Sequence, residues 1–228
     1  MRIPAADAPG GIATPEFVAA LLADGDDDLA AWAIGRALQE QPRAAVFEDV
    51  VRPAMELVGS HWESGLWTIS QEHLASVALM AALARLRPSD APESRIGPVA
   101  VLAAPAGELH VAGLACLAQV LEQRGWRVEN LGPNLPADDL ERFLAGREVD
   151  LLALSISIDE HLESLRSTVD TIRRGEQNGH LLPILIGGRG VEGAQPDIAG
   201  ADLVTTSLQR ADEYITMLQQ HLGARVEP

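Results

Sequence analysis

The chain has 228 residues, 47% of them hydrophobic, enough for one large core or two modest ones. Its formal net charge of −16, from 33 acidic and 17 basic residues, would repel a phosphate backbone, so no direct nucleic-acid binding is expected. A lone cysteine, Cys116, excludes a disulfide framework or a cysteine-rich zinc site within one chain and reads as a small buried hydrophobe.

Residues 1–12 carry one arginine, Arg2, and no apolar core of the kind a signal peptide needs, so they read as a flexible N-terminus. No uninterrupted apolar stretch reaches the length of a membrane span. The expectation is a cytoplasmic protein without a membrane partner.

Residues 13–88 carry helical periodicity. Thr14-Pro15-Glu16 opens a first helix, with a capping hydroxyl, a proline and an acid in its first turn, and this helix runs to about residue 23. Asp26, Asp27 and Asp28 supply an acidic start to a second helix over 29–41, with Leu29, Trp32, Ala33, Ile34 and Leu38 as its apolar face. After Pro42, a third helix is predicted over 44–62, with Val46, Phe47, Val50, Val51, Met55, Leu57 and Val58 inward and a kink or split at Pro53. Glu63-Ser64-Gly65 reads as a turn, and Ser70 as the cap of a fourth helix over 71–86. Four amphipathic helices with short connections make a four-helix bundle. Residues 89–95, polar and proline-containing, read as a linker.

From residue 96 to 228 apolar runs alternate with helical stretches. Strands are predicted over 99–104, 127–131, 151–155, 182–186 and 203–205, with helices over 111–124, 137–144, 160–174, 195–199 and 210–222. Short continuous apolar strands between helices call for a parallel sheet covered on both faces. The class is α/β, Rossmann-like and flavodoxin-like in layout, with five strands.

Gly107-Glu108-Leu109-His110-Val111-Ala112-Gly113 leaves the first strand and opens a helix. Loops at that end of a parallel sheet are where such folds hold cofactors. Glu108 is placed to hold one ring nitrogen of His110, as carboxylates do for metal-bound histidines, and the two glycines permit close backbone approach. A merely solvated loop histidine fits these residues equally well. Ser155-Ile156-Ser157 ends the third strand and Gly187-Gly188-Arg189-Gly190 ends the fourth, so the three segments share one sheet edge.

In this register the sequence resembles the cobalamin-binding domain family, whose pattern is Asp/Glu-x-His-x-x-Gly, then Ser-x-Leu, then Gly-Gly. The resemblance implies that His110 displaces the benzimidazole base and becomes the lower axial cobalt ligand, with Glu108 as its hydrogen-bond partner. It implies that Ser155 contacts the displaced nucleotide tail, that Gly187 and Gly188 leave room for it, and that Gly113 belongs to the same site. Ser157 stands where the family usually has leucine and adds a hydroxyl to the tail slot.

Trp62 is followed by nine residues and then Glu72-His73. This spacing looks like the helical cap of the light-sensing cobalamin regulators of the CarH type, and it implies that Trp62 shields a 5′-deoxyadenosyl group while Glu72 and His73 bond to it or pack against it. Adenosylcobalamin is the implied cofactor and a light-sensing or signalling module the implied function. The CarH type has a histidine directly after this tryptophan, where this chain has Glu63, and His61 on the other side of Trp62 points roughly 100° away on a helix. No basic helix-turn-helix precedes the cap, so output is expected through a homo-oligomer, a dimer, or through a separate protein. In its altered residue after the tryptophan the chain also resembles the photocobilins, which implies biliverdin as a second, noncovalent chromophore. The alternatives are a corrinoid carrier of a methyltransferase system, which shares the bundle-plus-Rossmann layout, and a protein-interaction module without cobalamin.

Among the remaining residues, Trp67 packs in the cap or lines the cofactor pocket, Trp126 is structural, and His161 sits at the surface or near the sheet edge. His180 and His221 read as solvated, and Thr205-Thr206-Ser207 as a loop that suits hydroxyls or touches the nucleotide tail.

Overall fold

The computed structural model describes residues 13–88, 97–175, 181–193 and 198–224. The predicted flexible N-terminus, the linker over 89–95 and His180 lie outside the described residues, as does most of the short helix predicted over 195–199. The chain divides into two compact units, Met1–Leu86 and Arg87–Pro228.

The first unit is helical. Helix α1, Pro15–Ala23, starts at Thr14, whose hydroxyl accepts the Phe17 N–H. Helix α2, Asp27–Ala37, starts at Asp26, whose carboxylate accepts the Leu29 N–H. Its buried face is Ala30, Ala31, Ala33, Ile34 and Ala37, while Trp32, expected on that face, is 48% exposed. Small side chains let α2 lie close to its neighbours, and an indole would hold it off.

The predicted third helix is one helical run in three parts: α3, Arg43–Val46, a π-helical segment Phe47–Val51, and α4, Arg52–Glu63. Pro53 stands in the first turn of α4, immediately after the π segment. A proline ring crowds the carbonyl four residues back and brings no N–H to it. The wide turn, in which the Arg52 N–H reaches Phe47 O, absorbs that without breaking the run.

Helix α5, Ile69–Arg85, begins two residues before the sequence-based expectation. Its cap is Thr68, not Ser70: the Thr68 hydroxyl accepts the Gln71 N–H while the Gln71 side chain accepts the Thr68 N–H. That reciprocal box satisfies two donors at the helix start, which Ser70, inside the first turn, does not do.

The second unit is α/β. Strands β1, Val99–Pro105, β2, Arg127–Leu135, β3, Leu151–Ser155, β4, Ile184–Gly187, and β5, Leu203–Thr205, form a parallel sheet in the order β2-β1-β3-β4-β5. This is the flavodoxin-like order. Every residue of β1 and β3 is buried, as a strand covered on both faces requires, whereas β2 lies at the edge and is partly exposed throughout.

Helices α6, Ala112–Gln123, and α9, Leu208–Ala224, cover one face, where Leu114, Leu121, Ala211 and Ile215 pack with Trp126 and the inward residues of β1 and β3. Helices α7, Ala137–Leu144, and α8, Leu162–Gly175, cover the other through Leu140, Leu165, Val169 and Ile172. A 3-10 turn, Asp159–His161, precedes α8 where the helix was expected to begin. Cys116 is buried in α6. Among the described residues no helix is long and apolar enough to cross a membrane.

Candidate functional site

Strand order reverses between β1 and β3, and in open α/β sheets the crevice beyond the carboxyl ends of those two strands is where ligands bind. The loop after β1 carries Glu108 and His110 into that place. Glu108 is wholly buried, with its own N–H donating to Pro105 O. One carboxylate oxygen accepts the His110 N–H at 2.8 Å and lies 2.5 Å from His110 Nδ1. The other accepts the Ser157 N–H at 2.5 Å.

Burial by itself would raise the Glu108 carboxyl, but the hydrogen bonds from the His110 ring, the Ser157 N–H and the His110 N–H, with the charge of His110, hold it down at about 2. Glu108 is therefore an anion inside the protein at neutral pH. An anion there draws the Nδ1–H toward it and leaves Nε2 as the nitrogen on the far side of the ring. The His110 side chain is 59% exposed, so the ring is anchored at one nitrogen and presented outward. A single imidazole held in this way completes the coordination shell of a metal that brings its other ligands with it, as a macrocycle-bound ion does.

At the next two strand ends the register places Ser155 beside Gly187 and Gly187 beside Thr205. A Cβ added at Gly187 would meet only Thr205 O at 3.6 Å, an ordinary contact, so the gap there is open. Gly188 is different: its φ is +104°, and a Cβ would lie 2.0 Å from Ile156 O. Packing of one strand end on the next requires that glycine, whatever binds nearby. At Gly113, in the first turn of α6, a Cβ would stand 3.2 Å from Ser155 Oγ, so glycine brings the helix down onto the serine. The Thr205 hydroxyl accepts the Ser207 N–H, which is ordinary turn chemistry.

Three residues reach the loop after β1; His161 was weighed for this sheet edge from the sequence, and the other two were not anticipated. Asn134, at the end of β2, accepts the Gly107 N–H through Oδ1 at 2.8 Å and donates its own N–H to Glu108 O at 2.9 Å. Ser164 donates its hydroxyl to Ala106 O at 2.8 Å. The His161 ring lies against Gly107, where an added Cβ would meet it at 3.1 Å. The one sequence signal was Gly132-Pro133-Asn134, a turn-forming run directly after the second predicted strand. Ser157 contributes through its backbone N–H, a role no side-chain pattern reveals.

In the helical unit, Trp62 lies in the last turn of α4 and is 44% exposed. Glu72 and His73 lie at the start of α5, across the short turn that joins the two helices, so all three share one end of the bundle. Glu72 holds His73 Nδ1 at 2.5 Å with one oxygen and accepts the Ser76 hydroxyl with the other. His73 is well exposed. His61 stacks edge-on against Trp67 with ring centroids 4.6 Å apart, and the Trp67 N–H donates to its carbonyl. Trp67 thus packs in the cap and holds His61 in place.

The family comparison matches residues 98–206 to a B12 binding domain and residues 17–87 to a second domain, also described as a B12 binding domain. Over 147 residues, 64% of this chain, the sequence is 35% identical to the HTH-type transcriptional repressor CarH of Myxococcus xanthus, and it covers 48% of that protein. It is 23% identical to the dimethylamine corrinoid protein of Methanosarcina barkeri, covering 80% of this chain and 88% of that one. The chain spans about half the length of CarH and 41% of CarA, also an HTH-type transcriptional repressor of Myxococcus xanthus. Among solved structures, the monomethylamine corrinoid protein of Methanosarcina barkeri shares the fold, with a TM-score of 0.71 at 16% identity over 88% of this chain and 96% of that one. With both domain families matched in order along one chain and a buried carboxylate holding an outward-facing histidine at the switch point, the protein belongs to the cobalamin-binding family of B12 binding domain proteins.

Proposed function

We propose that this chain is a light-sensing signalling protein that holds adenosylcobalamin base-off with His110 as its lower axial ligand, and is not itself an enzyme. The observation that carries the reading is the Glu108–His110 pair at the strand-order reversal, joined on the same chain by an exposed Trp62 and the Glu72–His73 pair at one end of a helical bundle. The similarity to a CarH repressor supports it. When bound, the cofactor supplies a cobalt–carbon bond that light breaks.

His110 Nε2 would ligate the metal, and Glu108 would hold the ring at Nδ1 and fix its direction. Ser155, Ser157 and Gly113 line the slot for the nucleotide tail, with Gly187 leaving its space and Gly188 shaping its wall. Trp62 covers the adenosyl group, and Glu72 and His73 offer it hydrogen-bonding groups. Trp62 would lose a contact if that group left, and the cap would then be free to shift and alter a dimer surface or the surface offered to a separate output protein. This is a two-state element biased by ligand occupancy. Glu63 follows Trp62, and His61 is held by Trp67, so neither neighbour of the tryptophan is poised as an imidazole ligand. The reading places the protein in the cytoplasm, with no direct nucleic-acid contact. A bilin such as biliverdin, if it joins the cobalamin, binds noncovalently, because Cys116 is buried.

The test is the visible spectrum of the protein mixed with adenosylcobalamin in darkness and then illuminated, with and without biliverdin. The expected result is a base-off, His-on spectrum that changes with light together with a change in elution volume. A His-on spectrum indifferent to light would leave the second reading, a corrinoid carrier, which the match over most of the dimethylamine corrinoid protein favours. No spectral change on mixing would sink both.

A further inference from the structure

We propose that Asn134 is a positioning residue for the His110 loop, setting the direction of the histidine from the neighbouring strand; the proposal rests on the reading of His110 as a cobalt ligand. It starts from an irregularity in the sheet. Strands β1 and β2 pair in step until Leu102 meets Asn130, but Ala103 then meets Gly132 and Pro105 meets Leu135. Twice, β2 spends one residue more than β1 over the same stretch. Such bulges re-aim side chains beside functional sites.

Here the extra residues leave Gly132 at φ +79° and Asn134 at φ +57°. Asn134 is the single non-glycine residue with positive φ among the described residues. Asparagine tolerates that left-handed conformation better than most side chains. The conformation turns both polar ends of the residue toward the ligand loop: Oδ1 accepts the Gly107 N–H and the backbone N–H donates to Glu108 O. Gly107 itself has a φ of +92°, and Glu108 carries the carboxylate that holds His110 Nδ1. Asn134 therefore grips the two residues that immediately precede the ligand turn, one by each end. From the other side the Ser157 N–H holds the Glu108 carboxylate, and Ser164 holds Ala106 O. The loop is clamped between β2 and the segment after β3, and Asn134 supplies a side-chain bond of the clamp on the β2 side.

Two substitutions separate the side chain from the backbone. Asn134→Gly keeps the left-handed conformation and the N–H to Glu108 but deletes Oδ1; Asn134→Asp keeps an oxygen acceptor. In the cofactor-free full chain, amide exchange at Gly107 is expected to speed up by at least about tenfold in Asn134→Gly, as loss of one hydrogen bond implies, and to stay near wild type in Asn134→Asp. With adenosylcobalamin in darkness, Asn134→Gly is expected to bind about tenfold more weakly, at the low end for loss of an outer-shell partner, and to show a smaller His-on fraction across pH. The melting temperature serves as control and stays close to that of wild type. Gly107 exchange unchanged in Asn134→Gly overturns the proposal, and so does faster exchange with an unaltered His-on fraction. Failure of wild type itself to give a His-on spectrum would instead overturn the reading of His110, and the exchange data would stand apart from it.

Discussion

The Glu108 carboxylate lies 2.5 Å from His110 Nδ1 and reaches the Ser157 N–H with its other oxygen, so one buried anion ties the loop after β1 to the end of β3. That link makes a pair of residues two apart in sequence rigid. Glu108→Gln keeps the shape and one acceptor but removes the charge, so the ring loses its preference for the Nδ1–H tautomer and its basicity. The expected outcome is cobalamin binding weakened about 10–100-fold with a reduced His-on fraction, while His110→Ala abolishes the His-on spectrum altogether. Equilibrium titration followed by absorbance reads both. Equal affinity in wild type and Glu108→Gln would show the carboxylate to be structural only.

The same carboxylate makes a pH prediction. Its folded value is lowered from 4.5 to about 2, so the ionised form is favoured by folding. For a depressed acid the stabilisation is complete above the unfolded value and is lost as pH falls through the folded one. Wild type should therefore exceed Glu108→Gln in melting temperature at pH 6, with the gap narrowing from about pH 4.5 downward and closing near pH 2. Thermal melts of the two proteins across that window check it, and a gap that does not narrow there would mean that the hydrogen bonds to the Glu108 carboxylate do not stabilise the fold through its ionised form.

Much of this fold was legible because its strands bury both faces: the continuous apolar runs in β1 and β3 admit few other readings. The histidine, serine and glycine segments could be assigned to one edge because parallel strands place their carboxyl ends together. What stayed hidden depends on backbone detail that side-chain pattern does not encode. The two bulges of β2 shift no apolar position, yet they decide where Asn134 points. Trp32 scores as core by hydrophobicity, but alanines fill that interface and leave the indole outside. Thr68 and Ser70 are equally good caps by composition, and only the reciprocal partner Gln71 distinguishes them. Ser157 was read by its hydroxyl, and its amide, which bonds the Glu108 carboxylate, carries no sequence signal of its own.

Trp62 offers a test of the cap. At 44% exposure it contributes little to the core of its unit, so Trp62→Ala should fold with a loss of no more than about 1 kcal/mol. Its effect is expected on selectivity: the ratio of affinities for adenosylcobalamin over methylcobalamin falls toward one, while His-on ligation through His110 persists. Titration of both cobalamins against wild type and variant measures that ratio. An unchanged preference would remove Trp62 from the adenosyl site.

The paired glycines separate fold from site. At Gly188 a side chain meets Ile156 O at 2.0 Å with φ at +104°, so Gly188→Ala forces the ends of β3 and β4 apart and should destabilise the protein by about 2 kcal/mol or more. Gly187, one residue earlier, faces only an ordinary contact, and Gly187→Ala should melt close to wild type. A methyl group at Gly187 would, however, stand in the gap beside Ser155, where the nucleotide tail is proposed to run. Its expected signature is weaker binding of complete cobalamin with unchanged binding of cobinamide, which has no tail. If Gly187→Ala weakened both corrinoids equally, the tail would lie elsewhere; if it weakened neither, Gly187 has no part in the tail slot.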